Sequence, residues 1–288
     1  MIYNIDFWKG FEKLKEADKE LDIKLVVTSP PYLDARDYGG VSLFESADVW
    51  MGWCVHSIKM LAEWASVIWW NTGSGYKNHH KLTEIYKMIV ELEWRGVYLI
   101  DEIPWIKTSA PPKNIRNRPY PAWEHNFIFS KDPENAKFYR DNVRRPYAKS
   151  TLSRMKYKLG NLSADMEGEY GEQTKTVSPN PKGATPPNHL TLPQDTSRRP
   201  HPAPMLPLLA DWAIRAYSEP GDLVCDPMAG IGTTWIEATK LGREFIGFEL
   251  FPEYIEIANL SMERYKRGDD PYNGLKKEWE ENYVKPEE

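Results

Sequence analysis

The stretch Asp226-Pro227-Met228-Ala229-Gly230-Ile231-Gly232-Thr233-Thr234 decides the fold of this 288-residue chain. It follows the apolar run 223–225, which predicts a strand, and it leads into 233–241, which predicts a helix. Glycines at such a turn let a ligand approach the backbone, and the helix N-terminus offers it free N–H groups. A second predicted strand, 245–248, ends in Glu249, where a carboxylate can accept hydrogen bonds from ribose hydroxyls. The pattern predicts a nucleoside site at the carboxyl edge of an α/β sheet.

A second motif, Ser29-Pro30-Pro31-Tyr32, follows the apolar run 23–28, which also predicts a strand. Proline has no N–H and a fixed φ, so the strand stops there and the chain is held stiff. The motif therefore predicts a rigid, polar and aromatic tip at the sheet edge where open α/β sheets bind ligands. A structural Pro-Pro turn with a packed tyrosine is the alternative interpretation.

Predicted strands and helices alternate over most of the chain, which indicates a mostly parallel sheet. The predicted strands are 2–5, 23–28, 65–70, 97–107, 126–131, 223–225 and 245–248, of which 97–107 and 126–131 form an antiparallel hairpin. The predicted helices are 7–21, 50–64, 80–93, 205–217, 233–241 and 252–267. Periodicity weakens over 132–200, and because a structureless loop of that length is rare in a compact domain, this segment predicts a small inserted lobe.

Composition limits the classes of function. The net charge of −5 means that any contact with nucleic acid must come from a local basic patch. Cys54 and Cys225 belong to no CxxC pair, and His79-His80 has no carboxylate at metal spacing, so neither a disulfide framework nor a metal site is expected. With no signal-peptide pattern and no run near the ~20 apolar residues of a membrane helix, a cytoplasmic protein is expected.

The two motifs together resemble those of the S-adenosylmethionine-dependent amino-methyltransferases that act on DNA. Residues 226–234 are similar to motif I of that family, and Ser29–Tyr32 is similar to its catalytic motif IV. Motif IV before motif I resembles the β-group order, in which a target-recognition segment lies between the catalytic and cofactor halves. The further matches are His201-Pro202-Ala203-Pro204 with motif X, 245–249 with motif II, Asp6 with the start of motif III, and 102–107 with 124–131 as the motif VIII hairpin.

The resemblance implies a fold and a division of the chain. The fold is a Rossmann-like class I methyltransferase with a mostly parallel seven-stranded sheet, one strand of which is antiparallel. Residues 1–131 would form the catalytic half, 132–200 the target-recognition insert and 201–268 the cofactor-binding half. Residues 269–288 would form a charged, peripheral tail.

The resemblance also implies S-adenosyl-L-methionine as the cofactor. Gly230, Gly232 and Thr233 would hold its methionine end, Glu249 its ribose and Asp6 its adenine amino group. The remaining candidate cofactor residues are Asp226, Pro227, Met228, Ala229, His201 and Phe251, the last either covering the adenine or serving only as a helix-entry contact. The family usually carries Phe beside the first glycine of motif I, and Met228 can fill the same apolar space.

The tip motif suits methyl transfer to an exocyclic amine, a poor nucleophile that needs hydrogen-bond acceptors and in-line positioning. The Ser29 hydroxyl and Pro30 carbonyl are the candidate acceptors, Pro31 stiffens the tip, and Tyr32 is the candidate stacking platform. The base must leave the duplex at a cost of a few kcal/mol, of which stacking returns about 1–3 kcal/mol. In the family, serine in the first position implies N4 of cytosine, with N6 of adenine as the alternative. A hydroxyl is a weak base, so loss of the amine proton to solvent is expected.

C5 methylation of cytosine is not expected, because the chain has no Pro-Cys nucleophile and Cys225 is predicted to pack within its strand. Three residues of the motif VIII hairpin are candidates with alternatives. Trp105 and Lys107 would line the base pocket, or would be a core residue and a solvated charge. His125 would belong to the family's Glu-His pair, or would be a structural histidine.

A local excess of positive charge lies in the insert, where tyrosines are interleaved. Its basic residues are Lys137, Arg140, Arg144, Arg145, Lys149, Arg154, Lys156 and Lys158, with Arg198 and Arg199 as a candidate extension. A solvated charged face is the common explanation of such a run. In a chain of net charge −5 that resembles DNA-modifying enzymes, it predicts an arm that contacts the phosphates of double-stranded DNA.

Partners and rival functions follow from the same resemblance. A homodimer is one candidate, with the aromatic helix 50–64 either in its interface or in the core, and a cognate restriction endonuclease is another partner. The rival functions are methylation of RNA or protein amines, and a catalytically silent DNA-binding protein. The motif order and basic insert argue against the first, and the intact Ser29–Tyr32 motif argues against the second.

Overall fold

A computed structural model of the chain describes residues 1–32, 44–77, 79–109, 115–155, 179–195 and 197–282. The chain divides into two compact units. The first comprises Met1–Phe138 and Asn188–Glu288, and the second comprises Tyr139–Pro187. No helix in the described part of the chain is long and apolar enough to cross a membrane.

The elements are defined as follows. The strands are β1 (Ile2–Asn4), β2 (Ile23–Thr28), β3 (Ala65–Thr72), β4 (Tyr76–Lys77), β5 (His80–Lys81), β6 (Tyr98–Glu102), β7 (Trp105–Lys107), β8 (Trp123–Ser130), β9 (Leu190–Leu192), β10 (Leu223–Asp226) and β11 (Glu244–Glu249). The helices are α1 (Phe7–Glu16), α2 (Ala47–Leu61), α3 (Glu84–Trp94), α4 (Lys149–Met155), α5 (Pro207–Tyr217), α6 (Thr233–Lys240), α7 (Pro252–Arg267) and α8 (Leu275–Asn282).

The main sheet is mostly parallel, as the sequence predicts. Its order is β1-β11-β10-β2-β3-β8-β7-β9, with β6 also paired to β8. β8 is antiparallel to β3, β6 and β7, whereas the other pairs are parallel. β8 is therefore the one strand, among those described, that runs against the rest.

The described sheet has nine strands rather than the expected seven. The single strand predicted over 97–107 is split into β6 and β7 at Ile103-Pro104, because proline cannot donate a ladder hydrogen bond. The short strand β9 lies in a segment that the sequence assigns to the insert, and it pairs in parallel with β7 at the edge of the sheet.

The central strands are buried on both faces, which explains their unbroken apolar sequence. Successive side chains of β3 point to opposite faces, so Trp70 packs near Trp53 of α2, and Trp69 packs against Trp212 of α5 with ring centroids 5.6 Å apart. Trp50 and Cys54 of α2 are also fully buried. Packing within the core, and not an exposed interface, therefore accounts for Trp50 and Trp53 of helix α2.

Two helix boundaries differ from their predictions for reasons of backbone conformation. α1 ends at Glu16 instead of residue 21, and Asp18 just beyond has a left-handed φ of 50°. α3 begins at Glu84 instead of residue 80, because His79 has a φ of 65° and His80 belongs to the β4–β5 hairpin.

The expectation of a peripheral tail is wrong for the described residues 269–282. α7 ends at Gly268, and the chain turns into α8, whose Leu275 is fully buried against Ile231 and Ile257. Arg264 and Arg267 of α7 form ion pairs with Glu278 of α8. The charged residues of this segment therefore lie on one side of a helix that completes the core.

The second compact unit, Tyr139–Pro187, comprises fewer residues than the predicted insert 132–200. Phe138 packs on Trp212 and Tyr217 of the first unit, and β9 belongs to the main sheet. Within Tyr139–Pro187, Arg145 and Ala184 form an antiparallel bridge.

Candidate active site

Two cavities lie at the carboxyl edge of the parallel strands. The larger cavity, of about 320 Å³, is lined by the turn after β10, the end of β11, the start of α1 and the segment 201–205. The smaller cavity, of about 180 Å³, is lined by the ends of β2 and β3 and by side chains of β7 and β8. Ser29, Ala203, Pro204 and Met205 line both cavities, so the tip of β2 stands where the two meet.

The glycine turn of the larger cavity requires its glycines. Gly230 and Gly232 have φ values of 50° and 77°, in the left-handed region that side chains disfavour. A Cβ on Gly232 would lie 2.8 Å from Ala258 Cβ, and a Cβ on Gly230 would lie 3.4 Å from His201 Nε2. Gly230 and Thr233 line the cavity, whereas Gly232 is the N-cap of α6 and packs behind the wall.

A carboxylate stands at the carboxyl end of each of two neighbouring strands. Glu249 accepts hydrogen bonds from the N–H groups of Gly230 at 2.8 Å and Phe251 at 2.9 Å, and burial raises its pKa. Asp226 accepts from the hydroxyls of Thr28 at 2.8 Å and Thr234 at 2.7 Å. Burial raises the pKa of Asp226 to about 6. Asp226 thus ties the glycine turn to the strand that carries the tip.

The other predicted cofactor residues surround the same space. Asp6 accepts a hydrogen bond from the Trp8 N–H at 3.0 Å and so caps α1. His201 packs edge-on against Tyr254, and the half-exposed Phe251 stands beside that tyrosine. Pro227, Met228 and Ala229 complete this set. Apart from Gly232, every predicted cofactor residue lines the larger cavity.

The tip is held by contacts from α2 and from the residue that follows β3. Trp50 of α2 donates a hydrogen bond to the Pro31 carbonyl at 2.9 Å. Gly73, just after β3, lies against the Tyr32 ring, since a Cβ there would be 2.9 Å from ring atom Cδ2. Ser29 and Tyr32 line the smaller cavity, Pro31 lines the larger one, and Pro30 is buried and lines neither.

A polar network fills one wall of the smaller cavity. The Tyr32 hydroxyl lies 2.6 Å from Asn71 Oδ1 and 2.8 Å from Glu124 Oε2. The Ser29 hydroxyl lies 3.3 Å from Tyr32 Oη, and the other oxygen of Glu124 pairs with the Lys107 ammonium. Neither Asn71 nor Glu124 was predicted as a site residue, although Glu124 stands in the Glu-His pair of the motif VIII hairpin. Nothing in the local pattern separates Asn71 from other polar residues at strand ends.

Lys107 and Trp105 both line the smaller cavity. The Lys107 side chain is only 11% exposed and is paired with Glu124, so the alternative of a solvated charge is wrong. Trp105 is buried and donates a hydrogen bond to the Leu192 carbonyl at 3.1 Å. The Trp105 ring is both a core residue and part of the cavity wall.

His125 lies outside the lining of both cavities. Its Nδ1 is 2.5 Å from Glu102 Oε1, and its Nε2 is 3.0 Å from Ser74 Oγ. Burial lowers the pKa of His125, and its ring stacks on Phe127. These contacts favour the structural interpretation of this histidine.

Arg199 is not part of an exposed basic arm. It is buried, and its guanidinium donates to Asp195 Oδ2 at 2.8 Å, to Thr233 Oγ1 at 2.6 Å and to the Met205 carbonyl at 2.6 Å. Asp195 lines the smaller cavity and Thr233 the larger one. Arg199 therefore joins the walls of the two cavities.

The basic residues of the insert differ in their surroundings. Lys137, Arg140, Arg145 and Lys149 are exposed. Arg144 donates to Asp141 Oδ1 at 2.7 Å and to the Gly183 carbonyl at 2.9 Å, so its charge is engaged within the second unit. Lys156, Lys158 and the side chain of Arg154 lie outside the described residues.

A family model described as DNA methylase, covering the N6 and N4 methyltransferases, matches residues 23–260. This match spans both motifs, both cavities and the segment between them. The chain belongs to this DNA methylase family. It is therefore a DNA methyltransferase of the N6/N4 amino-methyltransferase class, with DNA as its substrate.

Individual relatives agree with the family. The orphan methyltransferase M.BamHII of Bacillus amyloliquefaciens is 28% identical over 88% of this chain and 93% of its own length. The Type II methyltransferase M.PvuII of Proteus hauseri is 26% identical over 91% of this chain and 86% of its own length.

Solved structures share the fold of this methyltransferase. The cytosine-N4-specific PvuII DNA methyltransferase superposes with a TM-score of 0.60 at 22% identity, covering 90% of this chain and 87% of that one. The complex of M1.HpyAVI with S-adenosylmethionine gives a TM-score of 0.55 at 19% identity, covering 90% and 98%. The α/β Rossmann-like class of the fold is thereby established.

S-adenosyl-L-methionine is the methyl donor of this family, and the larger cavity fits it. The glycine turn brings the backbone close to the cavity at the start of α6, Glu249 and Asp6 supply carboxylates, and Phe7 and Phe251 supply apolar wall. When bound, the cofactor supplies a methyl group activated by a sulfonium. The acidic residues of the cavity match the positive charge of that sulfonium and of the methionine amine.

Proposed function

We propose that this enzyme transfers the methyl group to the N4 amine of a cytosine that has left the DNA duplex. The observation that carries the proposal is the position of Ser29 on the shared wall of the two cavities. One cavity fits the cofactor, and the other offers an aromatic and polar pocket for a base. An amine held at Ser29 would face the methyl group at the point where the two cavities meet.

The residues of the tip would act by positioning. The Ser29 hydroxyl accepts a hydrogen bond from the amine and draws its nitrogen lone pair out of conjugation with the ring. The Tyr32 ring, backed by Gly73 and fixed through its hydroxyl, offers a rigid face on which the base stacks. A rigid platform helps because proximity and orientation supply much of the rate enhancement of such a transfer.

Cytosine is favoured over adenine by the serine in the first position of the tip motif. The structural neighbour with the highest TM-score given above is described as cytosine-N4-specific, and it supports the same choice. Methylation of adenine N6 is the alternative, because a hydroxyl accepts a hydrogen bond from either amine.

The deciding experiment is incubation with labelled cofactor and double-stranded DNA, followed by mass analysis of the digested nucleosides. We expect N4-methylcytosine, and we expect none from Ser29→Ala, whose affinity for the cofactor should be unchanged. N6-methyladenine would establish the alternative. Label in RNA or protein with none in DNA would contradict both.

The exposed residues Arg140, Arg145 and Lys149 are proposed to contact DNA phosphates. Their exposure supports this role, whereas the internal ion pair of Arg144 assigns that residue a part in holding the second unit together. A homodimer and a cognate endonuclease also stand as proposals. Sedimentation analysis with and without DNA tests the first, and digestion of unmethylated against methylated DNA by a candidate endonuclease tests the second.

A further inference from the structure

We propose that Glu124 receives the proton that the target amine loses on methylation, delivered through the hydroxyls of Ser29 and Tyr32. The proposal rests on amine methylation as the function, and it holds for either base. It replaces release of the proton directly to solvent, the expectation from sequence alone. Glu124 is 92 residues from Tyr32 in the chain, so only the fold brings the two together.

The first support is a continuous path of oxygen atoms. Ser29 Oγ, the proposed acceptor of the amine, lies 3.3 Å from Tyr32 Oη, which lies 2.8 Å from Glu124 Oε2. The step from Tyr32 to Glu124 is within the range of direct proton transfer, and the step from Ser29 to Tyr32 has the slightly longer separation that is common in ligand-free sites. All three residues line the smaller cavity, where the base would bind.

The second support is the number of protons in the network. A phenol has one proton, yet Tyr32 Oη lies within hydrogen-bond distance of both Asn71 Oδ1 and Glu124 Oε2. With Glu124 ionised, Tyr32 can donate to only one of these two oxygens at a time. A proton added to Glu124 would satisfy both contacts, because Glu124 would then donate to Tyr32.

The orientation of the Asn71 amide is fixed, which makes this count secure. Asn71 Nδ2 donates to Asn126 Oδ1 at 3.0 Å and to the His125 carbonyl at 3.2 Å. Asn126 Oδ1 also accepts from Trp69 Nε1 at 3.1 Å, while Asn126 Nδ2 donates to the Ile103 carbonyl. Rotating the Asn71 amide would place its oxygen against the oxygens of Asn126 and His125, and rotating the Asn126 amide would place its nitrogen against the Trp69 N–H. Asn71 therefore presents an acceptor to Tyr32.

The third support is the burial and pairing of Glu124. The residue is 8% exposed, and a buried carboxylate is retained only with partners that offset the cost of removing it from water. The Lys107 ammonium on Oε1 provides that offset and leaves Oε2 directed at Tyr32. The titratable groups facing Glu124 are Lys107, Tyr32 and Asp195 of the smaller cavity, with His125 next to it in the chain.

The step balances in atoms and charge. The nitrogen–methyl bond forms from the amine lone pair as the methyl–sulfur bond breaks, and that bonding pair stays on sulfur. The amine proton moves to Ser29 Oγ as the proton of Ser29 moves to Tyr32 Oη and that of Tyr32 to Glu124. The positive charge lost at sulfur thus appears as a proton on Glu124, which later leaves to solvent.

Single-turnover methylation across a range of pH tests the role of Glu124. We expect Glu124→Gln to lower the rate at neutral pH by about 100-fold, the contribution of a positioned proton acceptor. We also expect the wild-type rate to fall on acidification and this acidic limb to be absent from Glu124→Gln, because the variant has no carboxylate to accept the proton. Glu124→Asp should recover part of the rate. A Glu124→Gln variant with the wild-type rate and acidic limb would overturn the proposal.

The matched control is Glu63→Gln, which removes the same charge from a lysine–glutamate pair that is exposed on the surface. It should keep both the rate and the acidic limb. Because Glu124→Gln still presents an oxygen and an amide of the same shape, its cofactor affinity should match the wild type. Its melting temperature should fall without loss of the fold, since the buried Lys107 ammonium loses its ionised partner. A loss of rate accompanied by loss of the fold or of cofactor affinity would count against the relay.

Tyr32→Phe tests the path itself, since it keeps the ring and removes the hydroxyl. If both residues act in one relay, the double variant Tyr32→Phe/Glu124→Gln should be no slower than the slower single variant. Multiplied losses would show independent roles and would overturn the relay.

Infrared pH titration of the cofactor-free protein gives a readout that does not depend on turnover. The carboxyl band of Glu124 is identified as the band that is absent from Glu124→Gln. It should shift in frequency in Tyr32→Phe, because the Tyr32 hydroxyl is bonded to Glu124. An unshifted band would overturn this contact. If the wild type methylates no DNA, the proposed function fails. If the wild type methylates DNA and Glu124→Gln does so equally fast, only the proton path fails.

Discussion

Asp226 links the two motifs of this enzyme through one side chain. Its oxygens accept from Thr28, the residue before the tip, and from Thr234 in the first turn of α6, and the Met228 N–H donates to it at 3.1 Å. The carboxylate is buried at the wall of the larger cavity, so its ionised form is disfavoured despite these bonds. The burial of Asp226 therefore makes the free energy of unfolding depend on pH, which the sequence alone does not show.

The raised pKa of Asp226 predicts a fall in stability with rising pH. Its pKa is about 6 in the folded protein against a reference value of 3.8, so between these values the folded state binds the proton more tightly than the unfolded state does. The free energy of unfolding should fall by about 2 kcal/mol as pH rises from 4 to 6 relative to Asp226→Asn. Urea unfolding of both proteins over that range measures the difference.

Thr234→Val serves as the companion variant. The Thr234 hydroxyl stabilises the Asp226 carboxylate, so its removal should move the fall in stability to higher pH. A wild-type profile parallel to that of Asp226→Asn would contradict the assignment of this pH dependence to Asp226.

At the scale of elements, helix α8 supports the wall of the larger cavity. Leu275 is fully buried against Ile231 and Ile257, and Ile231 also lines the cavity. Packing defects in a protein interior are felt by the neighbouring residues, because few voids exist to absorb them. A segment that charge alone predicts to be peripheral is therefore connected to the cofactor site by one layer of side chains.

Leu275→Ala should lower the free energy of unfolding by about 2–5 kcal/mol, since it removes a fully buried side chain and leaves a cavity. The affinity for S-adenosyl-L-methionine should also fall, because Ile231 loses its support. Urea unfolding and titration calorimetry measure the two effects. The control Leu208→Ala changes a leucine of α5 that is 50% exposed and should alter neither quantity appreciably. Equal effects in both variants would contradict the supporting role of α8.

At the scale of the whole molecule, an acidic protein has DNA as its substrate. The net charge of −5 opposes association with a polyanion, so local basic residues must supply the attraction. Exposed positive charges are available within Tyr139–Pro187, while the buried Arg199 and the paired Arg144 serve the fold. Electrostatic binding of this kind depends on salt, because neutralised phosphates release counterions.

Replacing Arg140, Arg145 and Lys149 together by glutamine should weaken DNA binding and flatten its salt dependence. Each phosphate contact contributes about 0.9 to the slope of log affinity against log salt, so the slope should drop by up to about 3. Anisotropy titrations at several salt concentrations measure it, and cofactor affinity should be unchanged. Replacing the exposed Lys13, Lys15 and Lys19 by glutamine removes the same charge elsewhere. A slope unchanged in the first variant, or lowered equally in both, would exclude these residues as phosphate contacts.

The sequence predicted the features that depend on local order. The strand and helix around the glycine turn, the abrupt end of β2 and the mostly parallel sheet with one reversed strand follow from periodicity, proline and glycine, or from the family's motif order. Errors arose where the local pattern was silent, at the left-handed His79 and in the charged segment that becomes α8, and where the signal of Pro104 before β7 was passed over. In each case backbone conformation or long-range packing overrode composition.

By itself, then, the sequence determined the family, the fold class, the cofactor and the tip motif, because each depends on residues close together in the chain. Only the tertiary structure decided which polar side chains meet at that tip. Asn71 at the end of β3 and Glu124 at the start of the antiparallel β8 reach the Tyr32 hydroxyl because β3 lies between β2 and β8. Asp226 reaches Thr28 because β10 pairs with β2. Hydrogen bonds act over about 3 Å of space regardless of separation in the chain, so the partners of a buried polar group emerge only once the strands are paired.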